Sequence, residues 1–163
     1  MGERISGKEV AEQVRARVGA AVATLPAAPA LAVVLVGEDP ASQVYVRNKV
    51  RQTEEAGMRS LHHHLPADAT QAEVEALISD LNHDADVDGI LLQLPLPKGL
   101  DEQKAIECIA PAKDVDGLTE ASAGRLVLGK DGLRPCTPTG CVILAKSVLG
   151  DDLSGKNVVV IGR

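Results

Sequence analysis

Tyr45 and Lys49 are the residues of this sequence whose types and spacing first indicate chemistry. Tyr45 is the only tyrosine of the 163-residue chain, which contains no Phe and no Trp. Side chains four residues apart project from the same side of an α-helix, so a phenol and an amine at this spacing can share one ligand or one proton. Without Phe or Trp, the core must be built from aliphatic residues, and the presence of a single tyrosine indicates a functional role for it more than a role in core packing.

The segment around this pair predicts the helix that the pair requires. Asp39 followed by Pro40 is typical of an N-cap and a first helical position, and Gly57 is typical of the residue at which a helix ends. We therefore expect a helix from about Pro40 to Ala56. The plainer alternative is that the tyrosine and the lysine are surface residues whose stems cover the edge of the core.

Composition and charge exclude several classes of function. The net charge of −6, without any run of Lys or Arg, disfavours nucleic-acid binding. The charged amino terminus and the lack of an apolar run of about 18 residues indicate neither secretion nor membrane spanning, so we expect a cytoplasmic protein. The three cysteines are odd in number and form no C-x-x-C pair, which argues against both a disulfide framework and a zinc site.

Short apolar runs alternate with helical patterns along the first two thirds of the chain. Strands are predicted from near Leu31, Met58 and Val87, with one helix between each strand and the next. This βαβαβ order predicts an α/β fold with a parallel sheet in three layers. On the second strand, His62 and His64 point to one face and His63 to the other, so we expect no metal site there.

Further polar residues are predicted at the edge of the sheet where Tyr45 and Lys49 lie. Gln93 ends the third strand, and Asp116 lies in the loop after the next helix. Ligands of parallel α/β sheets bind beyond the carboxyl ends of the strands. We therefore expect these four side chains to meet there, although Asp116 before Gly117 is also compatible with an ordinary turn.

The rest of the chain predicts elements around this core. A first helix should begin after Ser6, a short helix should occupy 101–108, and residues 111–133 are interpreted as a long loop. A further helix, capped by Thr137, should run to about Leu149. The run Val158–Ile161 is interpreted as a strand that ends in glycine, as nucleotide-binding βαβ units begin.

Five motifs in this order resemble the bifunctional methylenetetrahydrofolate dehydrogenase/methenyltetrahydrofolate cyclohydrolase family. They are YVRNKV after VGEDPAS, GILLQLPLP, PAKDVDGL, PCTPTG and VVVIGR, and together they cover nearly the whole chain. The resemblance implies that Lys49 is the catalytic lysine, that Tyr45 stacks on the substrate and joins the proton network, and that Gln93 orients the lysine. It also implies that Asp116 is the carboxylate that binds the pterin.

The same resemblance implies a cofactor, two domains and two reactions. Gly162 and Arg163 match cofactor-binding positions, and the guanidinium suits the 2′-phosphate of NADP. We expect residues 1–150 to form the folate-binding catalytic domain and 151–163 to be the start of an NADP-binding Rossmann domain whose remainder is absent. The family oxidises 5,10-methylenetetrahydrofolate and hydrolyses the methenyl product to 10-formyltetrahydrofolate. A homodimer that acts on tetrahydrofolate derivatives, with no nucleic-acid or membrane partner, is expected.

Two alternatives remain at this point. A Tyr-x-x-x-Lys pair also occurs in short-chain dehydrogenases, where the tyrosine is the acid and the lysine lowers its pKa, but those enzymes place a glycine-rich turn far upstream. The other alternative is a folate-binding or dimerising module without turnover. Hydrolysis of 5,10-methenyltetrahydrofolate in the absence of NADP separates that module from an enzyme.

Overall fold

The computed structural model of the chain describes residues 5–161. The elements in chain order are α1 (Gly7–Val22), β1 (Ala30–Val36), α2 (Pro40–Glu55), β2 (Arg59–Leu65), α3 (Gln71–His83), β3 (Gly89–Leu92), α4 (Glu102–Glu107), α5 (Glu120–Val127) and α6 (Cys136–Leu149). None of the helices in this described part combines the length and the hydropathy needed to cross a membrane.

The sheet of the described residues has three strands in the order β2-β1-β3, and both pairings are parallel. In the register, Val33 of β1 lies beside His62 of β2 and Leu91 of β3. Helix α2 connects β1 to β2, and α3 crosses from β2 to β3 past the central strand. The predicted βαβαβ arrangement is thus confirmed.

Side chains of β1 alternate between two separate cores, one on each face of the sheet. Ala32, Val34 and Val36 pack with residues of α3 and α4 on one face. Val33 and Leu35 pack on the other face with Leu91 and with Val46 of α2. All five β1 residues are at most 3% exposed. Helices therefore cover the sheet on both sides, which confirms the expected three layers.

Two predictions for the segment after Pro111 are corrected by the structure. Residues 111–133 are not a continuous loop, because α5 forms within them from a local cap: Thr119 Oγ1 accepts a hydrogen bond from Ser122 N at 3.2 Å. Helix α6 follows Pro135 directly and is not capped by Thr137. Pro138 is accommodated at the third helical position, because an amide there has no intrahelical partner to lose.

The predicted strand Val158–Ile161 is not a strand in the structure. Its four side chains are 79–95% exposed. Isolated strands are not stable, because their backbone N–H and C=O groups need a neighbouring strand, and none of the strands in residues 5–161 lies beside this run. The assignment of residues 151–163 to a second domain stays a prediction.

Candidate active site

Helix α2 holds Tyr45 and Lys49 through its cap and its buried face. The carboxylate of Asp39 accepts a hydrogen bond from Ser42 N at 2.7 Å, which anchors the first turn as predicted. Val46 and Thr53 are buried and set the rotation of the helix against the sheet. This rotation leaves Tyr45 63% exposed, while Lys49 is half-buried, so both side chains lie at the border between the core and a cleft.

Gln93 directly follows β3 and contacts Lys49. Its backbone N donates to Val34 O at 2.8 Å, which extends the pairing with β1 by one residue. Its side-chain Nε2 donates to Leu94 O at 2.6 Å, and its Oε1 accepts a hydrogen bond from Lys49 Nζ at 3.3 Å. Because the amide nitrogen is held by Leu94, the amide oxygen is turned toward the lysine.

Asp116 reaches the same cleft from a tight turn between α4 and α5. The turn is closed by a hydrogen bond from Gly117 N to Asp114 O at 3.1 Å. Gly117 has a φ of +62°, and a Cβ there would lie 2.7 Å from the carbonyl carbon of Arg134. The Asp116 turn therefore packs backbone against backbone on the segment that leads into α6.

The cleft has a volume of about 990 Å³, a size typical of sites for organic ligands. The structure brings all four predicted catalytic and substrate-binding residues to its wall: Tyr45, Lys49, Gln93 and Asp116. Apolar side chains line the space between them, including Leu91, Leu94, Val115 and Leu118. The cleft thus combines an apolar surface with one amine, one amide, one phenol and one carboxylate.

A cysteine that the sequence did not single out also lies in the cleft. Burial, and then the neighbouring carboxylate of Asp116, raise the pKa of the Cys136 thiol, while the charge of Lys49 opposes them. The thiol lies 3.7 Å from Val115 O, to which it donates. At neutral pH Cys136 is therefore a neutral thiol beside the carboxylate and not a thiolate nucleophile.

Asp114 lies in the same loop as Asp116, and the sequence alone assigned it no role in the site. It is 1% exposed and accepts hydrogen bonds from the backbone N–H and the hydroxyl of Thr119 and from the hydroxyl of Ser122. Burial raises the pKa of Asp114, but these hydrogen bonds outweigh burial and hold the pKa below its usual value. The Thr119-x-x-Ser122 spacing, typical of an N-cap, was the signal available in the sequence.

The three histidines of β2 lie away from this cleft. The rings of His62 and His64 stack on one face of the strand, with centroids 6.3 Å apart. Burial, followed by the charges of His64 and His63, lowers the pKa of His62. Within the described ranges no group of three or more His, Cys, Asp or Glu side chains is placed to hold a metal ion.

The residues predicted to bind NADP, Gly162 and Arg163, lie outside the described residues. The run that leads to them, Val158–Ile161, forms no strand, and no G-x-G-x-x-G turn occurs in the sequence. In the classic Rossmann fold such a glycine-rich turn between a strand and a helix binds the pyrophosphate of the dinucleotide. Such a turn for the pyrophosphate of NADP is not found within residues 5–161.

Sequence comparison places the chain among proteins of folate chemistry. The family model described as the catalytic domain of tetrahydrofolate dehydrogenase/cyclohydrolase matches residues 5–116. A bifunctional protein FolD from Hyphomonas neptunium is 73% identical over 160 residues, which cover 98% of this chain and 54% of the relative. That from Maricaulis maris is 61% identical over 163 residues, with 98% and 54% coverage. The chain thus spans about half the length of the curated relatives it matches.

Solved structures agree with this comparison. The bifunctional enzyme FolD from Campylobacter jejuni matches with a TM-score of 0.86 and 40% identity, over 90% of this chain and 54% of that one. The methylenetetrahydrofolate dehydrogenase-cyclohydrolase of Trypanosoma brucei, solved with NADP and an inhibitor, matches with a TM-score of 0.87 and 30% identity, over 95% and 54%. These matches favour the folate interpretation over a short-chain dehydrogenase. The chain belongs to the tetrahydrofolate dehydrogenase/cyclohydrolase family.

Proposed function

We propose that this chain carries the tetrahydrofolate site of a bifunctional enzyme. The enzyme oxidises 5,10-methylenetetrahydrofolate to 5,10-methenyltetrahydrofolate with NADP+ and hydrolyses the product to 10-formyltetrahydrofolate. The observation that supports it best is the hydrogen bond from Lys49 Nζ to Gln93 Oε1 at 3.3 Å. It lies in a cleft that also holds Tyr45 and Asp116, so a proton-transfer group and two substrate-binding groups share one space.

Asp116 is proposed to bind the pterin ring. The ring N–H and the amino group of a pterin are adjacent donors, and a carboxylate accepts both in a bidentate contact. The turn that carries Asp116 is held against the backbone of Arg134, so the backbone from which the carboxylate projects is positioned before the ligand arrives. Such preorganisation reduces the entropy lost on binding.

Tyr45 is proposed to stack on the aromatic part of the substrate and to join its proton network. Its ring is 63% exposed and lines the apolar part of the cleft, which suits stacking against a flat ligand. The hydroxyl is a donor and an acceptor at the end of the ring. Stacking and proton relay are thus compatible in one side chain.

Lys49 is proposed to move the proton during hydrolysis of the methenyl cation. Water adds to the methenyl carbon, the new C–O bond becomes the formyl carbonyl, and the bond from that carbon to N5 breaks. Of the two protons of the water, one ends on N5 and one is released to solvent. Lys49, oriented by Gln93, relays protons between the water and N5, a role typical of a general acid/base.

NADP is proposed as the hydride acceptor of the complete enzyme, because the Trypanosoma brucei relative was solved as a complex with NADP. The hydride comes from the methylene bridge of the folate. Homodimerisation and a cytoplasmic location are proposed as well. All three cysteines of the chain are free, which is compatible with the reducing cytoplasm.

The proposal is tested by following the absorbance of 5,10-methenyltetrahydrofolate as the 163-residue chain hydrolyses it without NADP. Lys49→Met should reduce the hydrolysis rate by about 10²–10⁴ because a general acid/base is lost. Lys130→Met is the matched control, since this exposed lysine lies outside the cleft. Asp116→Asn should weaken substrate affinity by about tenfold or more, because an amide donor would face a pterin donor.

Two results would contradict the assignment. If Lys49→Met hydrolyses the substrate as fast as the Lys130→Met control, Lys49 is not the proton-transfer group. If the unmodified chain binds tetrahydrofolate in calorimetry but does not hydrolyse the methenyl substrate, it is the binding module without turnover.

A further inference from the structure

Asp114 is a buried carboxylate beside the site that the proposed reaction does not use. It lies two residues before Asp116 and is 1% exposed. The two hydroxyl residues that contact it are also buried, with Thr119 1% and Ser122 3% exposed. A carboxylate removed from water in this way needs a full set of hydrogen bonds to remain charged.

Four donors converge on this carboxylate. Oδ2 accepts from Thr119 N at 3.0 Å, from Thr119 Oγ1 at 2.8 Å and from Ser122 Oγ at 2.7 Å. Oδ1 accepts from Leu118 N at 3.2 Å. Because Asp114 is only 1% exposed, its carboxylate is closed to a ligand from solvent and its observed partners all belong to the protein. The carboxylate therefore serves the protein itself.

What these bonds hold is the loop that carries Asp116. They join residue 114, which precedes Asp116, to residues 118, 119 and 122, which follow it, and so hold the two ends of the loop together. The backbone that enters this loop is also bound to β3, because Ile90 N donates a hydrogen bond to Lys113 O at 2.7 Å and Ile90 forms a parallel bridge with Asp114. Ile90 lies on β3, which Gln93 follows directly, so Gln93 and the loop that carries Asp116 are supported by the same strand.

We propose that Asp114 is a positioning residue for Asp116, supported by the hydroxyls of Thr119 and Ser122. The inference rests on the proposed function, because it concerns the pterin contact of Asp116. Because the hydrogen bonds of Asp114, Thr119 and Ser122 hold the two ends of the loop together, they limit the directions in which the Asp116 carboxylate can point. A bidentate contact depends on such alignment, because both of its hydrogen bonds weaken steeply when the donors and acceptors move out of line.

The test measures tetrahydrofolate affinity of the 163-residue chain by calorimetry. Ser122→Ala removes one bond to Asp114 and leaves the backbone donors in place, so the variant is expected to fold. It should weaken affinity by about tenfold, because a misaligned Asp116 keeps only part of its charged hydrogen bonding to the pterin. Ser79→Ala is the matched control, because Ser79 is an exposed serine on α3. Asp114→Asn, which places an amide against the donors of Thr119, should weaken affinity at least as much.

The decisive measurement repeats Ser122→Ala in an Asp116→Asn background. A positioning role predicts that the tenfold effect disappears there, because the contact that depended on alignment is already lost. A merely structural role predicts the same loss in both backgrounds, which would overturn the inference. Equal affinity of Ser122→Ala and Ser79→Ala would overturn it as well. If the unmodified chain does not bind tetrahydrofolate, the proposed function itself fails and the inference fails with it.

Discussion

Gly117→Ala is expected to separate the Asp116 turn from the segment that leads into α6. The φ of +62° disfavours any L side chain, and that conformation alone costs about 1 kcal/mol. A Cβ would also lie 2.7 Å from Arg134 C and 2.9 Å from Pro135 N. Both are backbone atoms, which cannot rotate away as a flexible side chain can.

The contact adds an overpacking cost of about 1–3 kcal/mol, so the whole substitution should lower the free energy of unfolding by about 2–4 kcal/mol. Gly129→Ala is the matched control. Gly129 has a nearly equal φ of +65°, but apart from its chain neighbours no heavy atom lies within 4 Å of the position that a Cβ would occupy. That variant should lose only the conformational part, about 1 kcal/mol.

Urea unfolding measures both variants. With a slope of about 2 kcal/mol per molar urea, Gly117→Ala should shift the midpoint by about 1–2 M and Gly129→Ala by about 0.5 M. Tetrahydrofolate affinity should fall in Gly117→Ala and stay unchanged in Gly129→Ala. Equal midpoints for the two variants would refute the reasoning, because the backbone contact at Arg134 would then carry no cost.

Three further predictions follow from other contacts. The pKa of Asp114 is lower in the folded chain than in the unfolded chain, so the stability that its ionised carboxylate provides is present above the unfolded pKa. This stability is lost as the pH falls through the folded pKa. The urea midpoints of the unmodified chain and of Asp114→Asn should therefore converge below about pH 4. Val46→Ala, at a 3% exposed position, should cost about 2 kcal/mol in urea unfolding. Calorimetry should detect no micromolar NADP binding to the 163-residue chain, because its sequence contains no G-x-G-x-x-G motif for the pyrophosphate.

The helix and the strands that position the site could largely be predicted from the sequence, because they depend on local sequence patterns. The cap at Asp39 and the stop at Gly57 bound α2, and the four-residue spacing places Tyr45 and Lys49 on one side of it. The alternation of strands and helices sets a parallel sheet, and this brings the end of β3 to the same edge. The contact between Lys49 and Gln93 follows from those two facts.

What could not be predicted depends on contacts between segments. Helix α5 has only eight residues, and its capping residue, Thr119, is itself held by a carboxylate outside the helix, Asp114. The role of Gly117 is visible only once Arg134 is known to lie against it. The interpretation of Val158–Ile161 as a strand used its composition alone, whereas pairing decides whether such a run is a strand.

The two-sided burial of β1 divides the molecule into a part that resists mutation and a part that can change. Any substitution among residues 32–36 disturbs one of two packed cores, because all five side chains are at most 3% exposed. The residues proposed to contact the ligand lie instead on α2 and in the turns after β3 and α4. Substrate preference can therefore evolve, or be engineered, at those positions without rebuilding the sheet that carries them.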